Sequence, residues 1–469
     1  IDSSEYPTEL LKGRLKLIHK AGSFDIDNFR GLTILPSLSK VFEEILLRQL
    51  YSYLESLNLF VGNQFGFLKG SNCQSAAMQL VDYVKSNFRK KFVVAMFIDL
   101  RKAFDTVDPK RLAKKLRRLG LSDKAVRLML SYLQNRQTAT TIGNCSSDFM
   151  NVNVGIAQGS KLGPLQFIVY INDMLRLNLI GQLVLYADDA ALIYSLDSEQ
   201  DIQVAMQHDA DLLHDWLCRN VLSMNALKTC YVTFGRAKNF SNLRVFIDGT
   251  EIHRVSTYKY LGLVLDEDLK FIAHVNHVKK QIMPYISLMW RKGKFIPVDK
   301  RKQIYSAYVH SHLIYMMPIY SECAAYKLKE LQTLQNRCVK ATYRLDRLTP
   351  TTYLYSSGLL PIKELAKVER ATYVHKLTHS LTKHNFELMT NSDVRNRSTR
   401  RNSHIHVFNH RSNTCLANAA LETAIVEYNA LDSEIRHTIC LRTFKSRVKL
   451  KVMSASDEFS VISPYYFIN

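Results

Sequence analysis

The chain has no Cys-x-x-Cys pair: its eight cysteines, Cys73, Cys145, Cys218, Cys230, Cys323, Cys338, Cys415 and Cys440, are scattered over 469 residues. That spacing fits no zinc ribbon and no disulfide framework, so the thiols read as reduced and mostly buried in an intracellular protein. No secretory signal opens the chain, and no uninterrupted apolar span reaches transmembrane length. Acidic residues are few, 42 against 63 Lys and Arg, which leaves a formal charge of +21. Such an excess calls for a polyanion. Without a membrane span beside it the balance favours nucleic acid, whose phosphates release counterions on meeting Lys and Arg. The 47% hydrophobic content excludes a disordered chain. The length suffices for about two to four subdomains.

Against that basic background a split set of three carboxylates stands out. Asp99 ends the apolar, β-branched run at 92–98, which reads as a buried strand delivering one acid at its C-terminal tip, where α/β sheets place chemistry. Asp188 and Asp189 lie between apolar runs at 183–186 and 190–194, so 187–189 reads as a tight connection between two strands. Neighbours in a straight strand point to opposite faces, and only a turn lets both carboxylates approach one spot. Carboxylates gathered in this way repel one another unless divalent cations intervene, Mg²⁺ being preferred where phosphate oxygens complete the shell. Two ions about 3.5–4 Å apart can activate a hydroxyl and hold a leaving pyrophosphate. Taken alone, Asp188-Asp189 is equally a polar hairpin tip.

The surrounding motifs decide between these readings. In chain order they are Asn28-Phe29-Arg30-Gly31-Leu32-Thr33, Gln64-Phe65-Gly66-Phe67-Leu68-Lys69-Gly70-Ser71, FIDLRKAFDTVD at 97–108, GIAQGSKLGPLQFIVYIND at 155–173, Tyr186-Ala187-Asp188-Asp189, NALKT at 225–229 and YKYLGLVLD at 258–266. The series resembles the two fingers motifs and motifs A to E of the reverse transcriptases of non-LTR (LINE-type) retrotransposons, most like the jockey-like and chicken-repeat-like branches. The resemblance implies an α+β right-hand polymerase. Its fingers would span 1–91, its palm 92–235 with an antiparallel sheet and inserted fingers helices at about 109–155, its primer-grip sheet 236–268, its helical thumb 269–349 and a basic, helical C-terminal extension 350–469.

The activity implied is RNA-directed DNA synthesis from a primer 3′-hydroxyl, with two Mg²⁺ ions, or Mn²⁺ in their place, held by Asp99, Asp188 and, less directly, Asp189. Arg30, Phe104, Gln158, Gly159 and Lys228 would bind the nucleotide, and Lys69, Tyr260, Leu261 and Gly262 the template and primer. The partners implied are an RNA template, a DNA primer, dNTPs, an element-encoded RNA-binding protein and an endonuclease domain not carried here. No membrane is implied, and the location is nucleus and cytoplasm. The first residue is Ile1 rather than Met, so a fragment of a longer polyprotein or a truncated copy is expected. The alternative is a catalytically inactive or domesticated RNA-binding copy acting in a ribonucleoprotein, which would show an eroded triad or Gln158-Gly159 turn. Neither is eroded.

Several positions have two readings. A flat ring at Phe104, five residues beyond Asp99, would leave no room for a 2′-hydroxyl, although an aromatic beside an apolar strand is ordinarily core. Arg30 and Lys20 fall in turn-like sequence suited to holding a triphosphate, Lys20 being equally a solvated lysine. Lys69 and Lys228 are phosphate contacts or surface lysines. The glycines of motif B permit close backbone approach to a base pair. Gln166 stands where the family has an apolar residue, tolerable on a helix flank. Asp105 matches the family or caps a turn. Asp108-Pro109 is a helix start, and the basic helix after it is a solvated face or a phosphate contact. Val41, Phe42, Ile45, Leu46, Leu50 and Leu54 predict an amphipathic helix. Asp248-Gly249 predicts a hairpin, and 258–265 a further strand. In the thumb, Lys279, Lys280, Arg291, Lys292, Lys294, Lys300, Arg301 and Lys302 would grip phosphates without sequence readout. Beyond Pro350, Arg395, Arg397, Arg400 and Arg401 suggest an RNA-binding arm or a nuclear-import patch. His404, His406, His410 and Cys415 fit no standard zinc spacing, and no ribonuclease H carboxylate set is present.

Overall fold

The computed structural model describes residues 4–19, 24–25, 28–60, 62–88, 91–240, 243–346, 348–350, 358–382, 387–390, 405–409, 414–415 and 420–455. The elements run β1 (Lys12–His19), β2 (Phe29–Ile34), α1 (Ser37–Ser56), α2 (Cys73–Asn87), β3 (Phe92–Ile98), α3 (Pro109–Arg118), α4 (Asp123–Gln134), β4 (Arg136–Ile142), β5 (Cys145–Ser146) and β6 (Met150–Val152). They continue with α5 (Gly163–Ile171), β7 (Gln182–Tyr186), β8 (Asp189–Leu196), α6 (Glu199–Arg219), β9 (Cys230–Phe234), β10 (Phe246–Ile247), β11 (Thr250–Glu251), β12 (His253–Arg254), β13 (Thr257–Tyr260) and β14 (Leu263–Asp266). The C-terminal part holds α7 (Ile272–Lys292), α8 (Val298–Ile304), α9 (Ser311–Ile314), α10 (Met317–Tyr320), α11 (Ala325–Tyr343), α12 (Ile362–Thr378), β15 (Glu387–Thr390), β16 (Ile405–Asn409), β17 (Thr414–Cys415), α13 (Ala420–Asn429), α14 (Ser433–Arg436) and α15 (Leu441–Ser454).

Two compact units emerge. The first comprises Ile1–Cys73, Ala95–Tyr231 and Ser241–Arg254, the second Gln74–Val94, Val232–Phe240 and Val255–Asn469. One five-stranded sheet has the order β12-β9-β3-β8-β7. Val93, Val94, Ala95 and Met96 on β3 are fully buried, as the uninterrupted apolar run requires. β7 and β8 pair antiparallel with Tyr186 opposite Asp189, so the connection is Ala187-Asp188. The edge strand β12 joins β9 in parallel, which departs from a purely antiparallel palm.

In the first unit β1 lies between β2, antiparallel, and β4, parallel. Arg30 therefore sits on strand β2 opposite Ile18, not in a turn. Along Phe29–Ile34 half-buried Phe29, Gly31 and Thr33 alternate with exposed Arg30, Leu32 and Ile34, so apolar side chains fall on both faces and the sequence carries no period-2 signal for the strand. Helix α1 forms where predicted. Its buried face is Leu46, Leu50 and Leu54, while Val41 and Ile45 are exposed. The same face carries Glu43, fully buried, whose carboxylate accepts from the backbone N–H groups of Lys161 (2.6 Å) and Leu162 (3.3 Å) and from the Tyr132 hydroxyl (3.1 Å). An anion there satisfies N–H groups of the two residues that lead into α5 and complements the dipole of that helix.

Asp108 caps α3 by accepting from the Lys110 N–H at 2.8 Å, and Ser122 caps α4. Lys115 of the basic helix is neither solvated nor available to phosphate. It donates to the Tyr170 carbonyl (2.5 Å) and Asp173 (2.7 Å) and lies 4.9 Å from the Trp216 ring. Gln166 is 1% exposed, not on a flank: its amide meets only the Met129 sulfur at 3.6 Å, and its carbonyl oxygen has no partner. Asp248-Gly249 forms the expected hairpin with both residues at positive φ, between strands of two residues each.

In the second unit, 257–266 is a hairpin of two strands rather than one strand, because Leu261 (φ 47°) and Gly262 (φ 85°) turn the chain. Helices α7 and α11 pack together, and α12 lies against α13 and α15. The ion pair of Arg370 with Glu427 fastens α12 to α13. The C-terminal region is helical, with a small three-stranded sheet β15-β16-β17 added. Several of the thumb cations are engaged internally: Lys279 pairs with Glu330 (2.5 Å), Arg301 donates to the Thr342 carbonyl, Arg291 to the Ser287 carbonyl and Lys300 to the Gln303 side chain. No helix is long and apolar enough to cross a membrane among the described residues. Lys20, Arg395, Arg397, Arg400, Arg401, His404 and His410 lie outside the described residues. His406 and Cys415 fall on β16 and β17.

Candidate functional site

Buried strand β3 cannot end in water without a polar residue, and Asp99 is the residue that takes it out. Immediately after it the chain bridges to the segment following α6. The Asn225 N–H donates to the Asp99 carbonyl (2.8 Å), the Arg101 N–H to the Ser223 carbonyl (2.9 Å), and the Asn225 side-chain amide to Asp99 Oδ2 (3.0 Å). Asn225 thus fixes one carboxylate oxygen and leaves the other open.

Asp188 reaches the same place from the β7–β8 turn. The two aspartates line one cavity of about 680 Å³, with Phe104, Asp105, Gln158 and Asn225 and with four cationic side chains, Arg30, Arg101, Lys102 and Lys228. Burial raises the Asp188 carboxyl above the usual carboxylate range; Asp99 adds to this, while the Asp188 backbone N–H and Arg30 oppose it. Asp189 is pushed up to about 6 by burial and then by the charges of Asp188 and Asp99. The three acids therefore share one electrostatic neighbourhood, although Asp189 is not on the cavity wall. Among the described residues no three His, Cys, Asp or Glu side chains already stand as a closed metal cage. What the wall offers is hard oxygen donors, the donor class for Mg²⁺ or Mn²⁺ rather than for zinc or copper.

The Ala187-Asp188 turn is held from outside. Residues 63–66 run alongside β7: Phe65 N–H donates to the Leu185 carbonyl and Leu185 N–H to the Asn63 carbonyl, both at 2.8 Å. The side-chain amide oxygen of buried Gln64, Oε1, accepts from Gly66 N–H (2.7 Å) and Ala187 N–H (3.1 Å). Ala187 is left-handed, φ 55°. A Cβ on Gly66 would stand 2.3 Å from the Ala187 nitrogen. The second fingers motif is thus a clamp on the acidic turn.

Arg30 donates from Nε to the Gln158 amide oxygen (3.1 Å), and Gln158 donates to both Asp105 oxygens (2.9 and 3.2 Å). Asp105 therefore holds the glutamine rather than capping a turn. Gly159, at φ 113°, makes its close approach to the Thr33 carbonyl of β2, 2.7 Å from where its Cβ would be. Phe104 faces the cavity and stacks on Phe167 at 4.3 Å. Lys69 is exposed, its N–H bonded to the Tyr51 hydroxyl, and it is not on the cavity wall. Tyr260 is buried, and Leu261 and Gly262 form a turn against Tyr315, whose hydroxyl donates to the Leu261 carbonyl at 2.7 Å. Gln64, Gly66, Arg101, Lys102 and Asn225 were not singled out from the sequence. All five lie within the quoted motifs, where the signal was present.

Residues 18–265 match the family described as reverse transcriptase (RNA-dependent DNA polymerase). The chain is 27% identical over 346 residues to a probable RNA-directed DNA polymerase from transposon X-element of Drosophila melanogaster, covering 71% of this chain and 38% of the relative. It is 28% identical over 328 residues to the RNA-directed DNA polymerase from mobile element jockey of Drosophila funebris, covering 67% and 36%. The chain thus spans little more than a third of these relatives. Among solved structures it is similar to telomerase from Candida albicans in complex with a telomeric RNA fragment (TM-score 0.44, 11% identity, 99% of this chain and 66% of that one) and to apo telomerase from Candida tropicalis (0.41, 12%, 79% and 66%). The chain belongs to the reverse transcriptase family, among those of non-LTR retrotransposons.

Proposed function

We propose that this chain is the polymerase portion of a longer retrotransposon protein and extends a DNA primer 3′-hydroxyl on an RNA template. The observation that carries the reading is the pairing of Asp99 and Asp188 across one cavity with Arg30, Arg101, Lys102 and Lys228 on its wall. Acids that repel one another beside cations that gather phosphates suit nucleotidyl transfer. Family membership implies divalent metal, and Asp99 and Asp188, with Asp189 behind them, would hold Mg²⁺, which when bound neutralises the developing oxyanions. Asn225 keeps Asp99 oriented for that task. Arg30 and Lys228 bind the triphosphate, and Lys228 can donate a proton to departing pyrophosphate. Phe104, backed by Phe167, presents a flat ring to the sugar and excludes a 2′-hydroxyl by volume. Gln158, fixed by Arg30 and Asp105, faces the base. Lys69 and the Leu261-Gly262 turn serve template and primer. An endonuclease and an RNA-binding protein of the same element would supply the nick and the packaged RNA, in nucleus and cytoplasm. The test is extension of a labelled DNA primer on an RNA template with dNTPs. Product with Mg²⁺, none with chelator and none from Asp99→Asn is expected; undiminished product from Asp99→Asn would overturn the reading.

A further inference from the structure

The second unit contains a cavity of about 500 Å³ that shares no residue with the catalytic one. Its floor is apolar, made by Val339 of α11, Leu360 before α12, and Leu365 and Val368 of α12. Its rim is cationic: Lys302 from α8, and Arg442, Lys445 and Lys449 from α15. The last three lie at spacings of three and four residues, hence on one helix face over about 10 Å. The single carboxylate of the wall, Glu369, is already paired with Lys445 at 2.5 Å. Lys449 donates only to the Gly358 carbonyl, and no carboxylate partners Arg442 among the described residues. Lys302 reaches Asp299 only at 3.8 Å and lies 5.7 Å from the ring centre of Tyr343, a half-buried aromatic of the same wall. Burial lowers the Lys449 ammonium and the neighbouring His310 imidazole; at His310 Glu369 opposes this, while Lys445 and Lys449 add to it.

We infer that this cavity binds one unpaired nucleotide of a polynucleotide strand, its phosphates on Arg442, Lys449 and Lys302 and its base against Tyr343 and the apolar floor. A cationic rim with an aromatic platform is the combination that holds single strands without reading sequence. A base paired within a duplex cannot turn into such a cavity. The inference relies on the proposed function only in choosing a nucleic-acid probe, and its readout is binding, not synthesis. Failure here leaves primer extension standing, and failure of extension leaves this measurement intact.

The test uses the full chain and a 12-nucleotide RNA carrying 4-thiouridine, with crosslinks mapped by mass spectrometry and binding followed against salt. Crosslinks are expected in the peptides holding Tyr343 and Leu360, and Ser446→Trp, which fills the mouth without removing charge, should abolish them. The pair Lys302→Gln and Arg442→Gln should weaken binding about tenfold and reduce the salt slope by about 1.4, roughly 0.7 per lost contact on a single strand. Melting curves confirm that each variant is folded, and Ser446→Trp keeps the test open if the charge variant is not. Competition by unlabelled single-stranded RNA alone, or by RNA and DNA alike, assigns the source of the strand. Strand binding without these crosslinks, unchanged binding in both folded variants, or competition by a blunt duplex as effective as by a single strand would each overturn the inference.

Discussion

Adding one methyl group at Gly66 is expected to reduce kcat about a hundredfold without unfolding the protein. The new Cβ would lie 2.3 Å from the Ala187 nitrogen, 1.1 Å inside the 3.4 Å of ordinary contact, and 2.9 Å from the Tyr186 carbonyl carbon. Neither neighbour is a flexible side-chain end. Both belong to the backbone that presents Asp188, and Gln64 ties Gly66 and Ala187 to one side-chain amide oxygen, so relief requires the turn itself to move. A displacement of about 1 Å at reacting groups costs on the order of a hundredfold in rate. Overpacking of this kind costs about 1–3 kcal/mol of stability, which a chain with this much core survives. Single-turnover incorporation of one dNTP measures kcat and KM separately, with circular dichroism as the check on folding. KM should stay near the native value, because Arg30, Phe104 and Lys228 lie elsewhere on the wall. A folded Gly66→Ala protein with native kcat would refute the clamp. Gln64→Leu, which removes the shared acceptor and adds no bulk to the backbone, gives the same test independently.

Phe104→Ala should admit ribonucleotides while dNTP incorporation persists; unchanged sugar selection in a competition assay would remove the steric role from this ring. Gln166→Leu should raise stability by about 1 kcal/mol, since it replaces a buried carbonyl oxygen that has no partner, and a lower melting temperature would count against that description. His274 is 2% exposed, accepts from the Val264 N–H, and burial pushes its imidazole down to about 3. The unfolded chain binds that proton near pH 6.5. Stability is therefore complete above about 6.5 and falls as pH drops toward 3, by about 2 kcal/mol at pH 5 from this group. His274→Gln, which can keep the acceptor, should flatten the slope of melting temperature between pH 7.5 and 5; an unaltered slope would assign it to other groups.

Elements whose signal is local were legible in the sequence. The apolar run of β3, the Asp108-Pro109 helix start and the Asp248-Gly249 turn follow from propensity and sterics at a few adjacent residues. Asp99, Asp188 and Phe104 could be named because motif order brings them together. What stayed hidden depends on partners distant in sequence. Glu43 reads as a solvated acid on α1 until the segment leading into α5, more than a hundred residues later, sets the Lys161 and Leu162 N–H groups against it. Lys115 reads as one of a basic run until the Tyr170 carbonyl and Asp173 are in place. Arg30 reads as a turn residue in sequence because β2 is stabilised by β1 and carries a glycine of low strand propensity. Gln166 reads as a flank position because its depth is set by α4, distant in sequence. The clamp joins the Gln64 side-chain amide and the Gly66 backbone to a turn more than a hundred residues away, and no local pattern announces it.

The most direct measurement is single-nucleotide extension of a DNA primer annealed to RNA, comparing the native chain with Asp188→Asn at matched RNA occupancy. Removing one carboxylate from a coupled acidic site should abolish incorporation while template binding, carried by cations elsewhere, persists. Equal incorporation by both proteins, or RNA binding by both with no incorporation by either, would contradict the account, the second result being that of a chain that only binds RNA.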